Sequence, residues 1–117
     1  MEKEKYNFKK FERPFSGTFD GVSLIGNKKD FLNLGKFFWE RLKKELSENQ
    51  LNRFEIRFDE KKKAIKLVPS STGFKVLKTK TNKLIPCQGL SKFLPKGRYL
   101  FEAKKGGFIC KFEKNQN

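Results

Sequence analysis

The sequence of 117 residues predicts one α+β domain. It is expected to hold a curved, mostly antiparallel sheet of about six to seven strands, with one main helix over about residues 33–47 packed on one face. Three features lead there. Arg53, Phe54, Glu55, Ile56, Arg57 and Phe58 alternate strictly between charged and apolar, the period of a half-buried strand. Leu34, Phe38, Leu42 and Leu46 recur at four-residue steps with Trp39 beside them, which makes one apolar helical stripe. Turn-forming clusters separate further short alternating runs, as in an antiparallel sheet.

Residues 1–15 read as a basic and aromatic arm. Tyr6, Phe8 and Phe11 are interleaved there with Lys9, Lys10 and Arg13, and Pro14 disfavours helix at Arg13. Val22, Ser23, Leu24 and Ile25 form a short strand. Gly26 and Asn27 then suit a two-residue hairpin turn, and Lys28, Lys29, Asp30 and Phe31 the returning strand. Asn33 is the expected N-cap of the helix, whose outer side carries Lys36, Glu40 and Lys44. A helix beginning at Asp30 would instead erase the returning strand.

After the strand at 53–58, residues 59–63 are too charged to be buried and form a turn. Ile65 and Leu67 return on the core side with Lys66 opposite. Residues 69–73 turn again, and Phe74, Lys75, Val76 and Leu77 make another run. It passes into a ladder of Lys78, Lys80 and Lys83 spaced by Thr79, Thr81 and Asn82. Leu84, Ile85, Pro86 and Cys87 are extended, and residues 89–94 suit one helical turn before Pro95. Residues 97–103 and 108–112 form a last hairpin, followed by a short disordered tail at about 114–117.

Lys and Arg number 28 against 13 Asp and Glu, a formal net charge of +15. The excess is uneven: +4 over residues 1–58 and +11 over residues 59–117. Such a field favours a polyanion, most simply nucleic acid, because each phosphate neutralised releases counterions. The plain alternative is a lysine-rich surface that keeps a small protein in solution. Only five of the 28 cations are Arg, whose planar fork reads bases better than lysine does. That scarcity argues for phosphate contacts with weak sequence preference. Histidine is absent, which removes the commonest general base, the usual metal ligand and the Ser-His and Cys-His dyads. Cys87 and Cys110 have no CxxC spacing and make no disulfide framework. Without an apolar leader or membrane-length run, the expected location is the reducing cytoplasm, away from the membrane.

On the polar side of the sheet, parity places Arg53, Arg57, Lys66, Lys75, Arg98 and Lys111 against Glu55 and Glu102, with Leu77, Leu100 and Ile109 among them. Arg53, Arg57, Lys66, Lys75, Lys78, Lys80, Lys83 and Arg98 are the candidate phosphate ligands, the lysine ladder acting as a mobile loop. Tyr6, Phe8 and Phe11 are candidate stacking groups for unpaired bases. Their alternative role is packing over a sheet edge or into a second subunit, and the lysines could simply guard the sheet against aggregation.

Enzyme motifs are thin. Glu102, Ala103 and Lys104 match the ExK tail of metal-dependent nucleases, but no paired carboxylate accompanies them. Gly106 and Gly107 precede no GK[ST], and Cys110 between Phe108 and Phe112 reads as a small buried hydrophobe. The expectation is a non-catalytic nucleic-acid-binding protein with no cofactor and no metal, DNA before RNA and single-stranded DNA slightly favoured. The alternative is a small interaction module, such as an inhibitor or adaptor of a virus or mobile element, docking on an acidic protein surface. Sheet edges and the arm would also suit a homodimer.

Overall fold

Alternation builds the strands, and short turns pair each one with a neighbour. The computed structural model describes Asn7, residues 19–104 and residues 106–113. The strands are β1 (Gly21–Ile25), β2 (Phe31–Leu34), β3 (Arg53–Asp59), β4 (Ala64–Pro69), β5 (Phe74–Lys75), β6 (Leu77–Lys78), β7 (Lys83–Pro86), β8 (Gly97–Lys104) and β9 (Gly107–Phe112). One α-helix, α1 (Lys36–Glu45), follows β2, and 3-10 turns occupy Asn49–Leu51 and Leu90–Lys92. Apart from Asn7, the arm lies outside the described residues, Tyr6, Phe8 and Phe11 included, and so does the tail at 114–117.

All the pairings are antiparallel, and the sheet runs β5-β3-β4-β9-β8-β1-β2-β7-β6. Its two outermost strands are consecutive in the chain, separated by Val76 alone. β5 bonds to β3 and β6 bonds to β7, while the Val76 N–H donates to the Asn52 C=O at 2.9 Å. The sheet is therefore nearly closed on itself. Nine strands replace the expected six to seven for two reasons. Val76 splits one run into two, and the lysine ladder, expected as a loop, folds as the β6–β7 hairpin. At its tip the Thr79 N–H donates to the Asn82 C=O at 2.8 Å, and Thr79 Oγ1 accepts the Asn82 N–H at 2.8 Å.

The helix is shorter than expected and starts later. Leu32 and Leu34 pair with Leu24 and Val22 and are buried, so Phe31–Leu34 extends as strand instead of capping a helix. Asn33, the expected N-cap, lies within β2, and Gly35 takes the N-cap position. The Gly35 N–H bonds the Gly21 C=O at 2.9 Å, and a Cβ there would meet that oxygen at 2.8 Å, which glycine alone avoids. The first hairpin accordingly has a five-residue loop, 26–30, rather than a Gly26-Asn27 turn. Lys43 and Lys44 in the last helical turn favour the negative end of its dipole.

Inside the curved sheet, Val22, Leu24, Leu32, Phe54, Ile65, Leu67, Ile85, Tyr99 and Cys110 are essentially inaccessible. Helix α1 covers one end of that interior. Its Phe38, Trp39 and Leu42 are buried, and Phe38 meets Phe101 and Phe108 at ring-centroid distances of 5.2 and 6.2 Å. At the other end the Leu90–Lys92 turn and Leu94 pack inward, and the buried Tyr99 hydroxyl donates to the Pro95 C=O at 2.7 Å. Burial pushes the Tyr99 hydroxyl pKa up to about 12.

If Val76 is the closing residue, its backbone matters as much as its side chain. Val76→Ala is expected to lose about 2 kcal/mol through two missing methyl groups. Val76→Pro should lose more in urea titrations, because it also deletes the bond to Asn52.

Candidate functional site

The register turns a general basic character into specific neighbours. Arg53 lies directly opposite Lys75, Arg57 opposite Lys66, and Lys78 opposite Lys83. Directly opposed side chains have Cβ atoms about 5 Å apart, and like charges placed so are destabilising. Some relief is local. The Arg57 guanidinium pairs with Glu55 at 3.0 Å, and Arg53 donates to the Gly73 C=O at 3.1 Å. Among the described residues, no carboxylate lies within ion-pair reach of Lys66, Lys75 or Lys80.

Arg57, Lys62, Lys66, Lys104 and Lys111 surround an outer groove of about 410 Å³, floored by Phe58, Ala64 and Ile109. Asp59 also borders it, but its carboxylate already accepts the Lys62 N–H at 3.0 Å. Glu102 pairs with Lys104 and Lys111, both at 3.2 Å. Hydrogen bonding from Lys104, then from Lys111, holds its carboxyl below the usual carboxylate range.

Lys78 and Lys83 stand elsewhere, at the helix-covered end. Their parity matches Val76 and Ile85, so they turn toward the inner side. Each ammonium lies 5.7 Å from the centre of the Trp39 ring. Lys78 also donates to Asn52 Oδ1 at 3.1 Å, while Lys80 projects from the exposed hairpin tip. Arg98 is separated from β3 by β4, β9 and its own place on β8. It pairs with Glu113 at 3.3 Å and lies 4.2 Å over the Phe19 ring. The nominated cations thus form two groups: Arg53, Arg57, Lys66 and Lys75 on the outer wall, and Lys78, Lys80 and Lys83 near Trp39. Arg98 joins neither.

The end opposite α1 carries groups that sequence patterns hid. Asp30 is 5% exposed, and its Oδ2 accepts the N–H groups of Gly89 and Ser91, both at 3.0 Å. Its C=O accepts the Cys87 N–H at 2.9 Å, and Lys96 stands 3.9 Å from Oδ1. Gly89 holds φ near 98°, a left-handed conformation that lets the chain turn back onto this carboxylate. Asp30, expected in a strand, thereby ties the first hairpin loop to the 87–91 turn. That turn presents Phe93, which stacks on Phe58; Phe74 is exposed beside the same recess. The signal for Phe58 was present in its parity, since β3 points an apolar ring inward beyond the helix-covered end.

The cysteines take no part in this surface chemistry. Cys87 and Cys110 are free and buried, and burial is the main cause pushing both thiols up to about 12. No group of three or more His, Cys, Asp or Glu able to hold a metal occurs among the described residues. No helix among them is long and apolar enough to cross a membrane.

Fold and surface together define a strongly basic α+β protein with a nearly closed antiparallel sheet and a single α-helix among its described residues. Compared with family models, curated proteins and solved structures, the chain matches none of them.

The Asp30 clamp predicts an acid-sensitive fold. Hydrogen bonds led by that from Ser91 lower the Asp30 pKa below 3.8, so the stability they contribute is present above that value. It is lost as pH falls through the still lower folded-state pKa. Asp30→Asn should flatten the stability profile below about pH 4. Asp30→Ala, which removes the acceptor of two part-buried N–H groups, should cost about 1–2 kcal/mol at neutral pH. Urea titration across pH measures both.

Proposed function

We propose that this protein binds nucleic acid without catalysis, single-stranded DNA before RNA, mainly through phosphates and with weak sequence preference. The observation that carries this reading is the opposition of cations across the sheet: Arg53 with Lys75, Arg57 with Lys66, and Lys78 with Lys83. A fold that sets like charges face to face loses stability unless a polyanion shares the surface. Phosphates supply that charge at regular spacing, and displaced counterions supply much of the driving force. Lysine suits the task because a compact ammonium on a flexible stem follows a backbone without demanding base identity. Glu102 pairs with Lys104 at 3.2 Å on the outer wall, and the ExK triplet takes no catalytic role in this reading.

Fluorescence anisotropy with labelled single-stranded DNA, duplex DNA and RNA across a salt series tests this reading. With about five phosphate contacts to a single strand, affinity should fall about a hundredfold between 50 mM and 200 mM salt. The pair Lys66→Glu and Lys75→Glu should weaken binding and reduce the salt slope by about two. The same pair should leave the free protein as stable or more stable, since each change replaces an opposed like-charge pair. Weak and equal binding to every polyanion, gone near physiological salt, would overturn the proposal in favour of an acidic protein partner.

A further inference from the structure

Opposite α1, the interior of the sheet opens into a recess of about 380 Å³. That lies at the small end of the range for ligand pockets. Phe58, Phe74 and Phe93 line it and remain 43%, 49% and 46% exposed. Phe58 and Phe93 stack on each other with centroids 5.1 Å apart and planes 29° from parallel. Three exposed phenylalanines converging on one hollow form an apolar patch that water does not favour.

The polar lining has a definite character. No carboxylate borders the recess; Gln88 and Lys92 do. Gln88 Oε1 accepts the Asp30 N–H at 3.4 Å, which leaves its NH2 group as a donor at the rim. Most tellingly, Phe58 lines both this recess and the cationic outer groove of Arg57, Lys62 and Lys66. One ring is the boundary between a stacking surface and a phosphate-binding surface. A ligand matching that juxtaposition has a flat ring joined to an anion, which is the chemistry of a nucleotide. A neutral apolar peptide side chain would fill the hollow but make no use of the adjoining cations, and a fatty acid would use them through a single carboxylate without matching the aromatic faces.

We propose that the recess of Phe58, Phe74 and Phe93 stacks an unpaired nucleobase whose flanking phosphates lie on Arg57, Lys62 and Lys66. This rests on the nucleic-acid reading above and deepens it. It makes the preference for single strands a consequence of structure, since a paired base must first leave its stack. It also gives a stacking role to described residues, whereas Tyr6, Phe8 and Phe11 lie outside them.

The test compares oligothymidylate with an abasic oligomer of equal length and phosphate count, using the full chain. Oligothymidylate should bind about tenfold tighter. Phe74→Ala and Phe93→Ala should each remove most of that advantage without changing affinity for the abasic oligomer. Phe93→Trp should keep it. Unchanged thermal melts for these exposed positions would show that each variant is folded. Equal affinity for both oligomers in the unaltered protein would overturn the stacking site while leaving phosphate binding intact. Failure of both to bind would overturn the phosphate reading itself. An apolar dye in the recess should be displaced by oligothymidylate; a dye retained at saturating oligomer would assign the hollow to an apolar peptide or lipid and sink the inference.

Discussion

The bond from the Val76 N–H to the Asn52 C=O is where this sheet meets itself. On one side of it β5 completes the ladder of β3, and on the other β6 completes that of β7. Curvature, interior and surface all follow from that meeting. Closure encloses Tyr99, Phe54 and Ile85, and it swings Lys78 and Lys83 to the end covered by α1. It also brings Phe74 beside the 87–93 turn, so that a recess exists at all. The two-residue end strands cover only part of their neighbours: β5 pairs with Arg53 and Phe54 of β3, and β6 with Lys83 and Leu84 of β7.

A second constraint is electrostatic. Opposed like charges are tolerable on a solvated wall because water and salt screen them. They are still a standing cost, and the register repeats that cost on both sides of Val76. Carboxylates do meet some cations: Glu102 with Lys104 and Lys111 on the wall itself, Arg98 with Glu113, and Arg41 with Asp20. Among the described residues, exposed Lys28, Lys29, Lys36, Lys44 and Lys92 also lack a carboxylate within ion-pair reach, so what marks the wall and ladder is the opposition of cations across paired strands. The ring pair Phe58 and Phe93 lies where that wall ends.

The faces of the strands are legible in the sequence because side-chain parity survives any strand order. Arg53, Arg57, Lys66 and Lys75 fall on one side whatever their neighbours are. Strand partners are another matter, since Val76 looks like one more residue in a run and nothing local says that two edges meet there. Asn33 misleads for a similar reason. It is a good cap by type, yet burying Leu32 and Leu34 against β1 outweighs a capping bond. Asp30 is hidden because its partners, Gly89 and Ser91, lie about sixty residues away. A ladder spaced by Thr and Asn reads as a loop, whereas the Thr79 hydroxyl, bonded to the Asn82 backbone, closes a tight hairpin.

The most direct test of the whole account is lysine footprinting by acetylation and mass spectrometry, with and without oligothymidylate. The proposed surface requires the protected set to be Lys62, Lys66, Lys75, Lys78, Lys80 and Lys83, while the exposed helix residues Lys43 and Lys44 keep their reactivity. Protection spread evenly over all lysines, or centred on α1, would contradict the assignment of this wall as a binding surface.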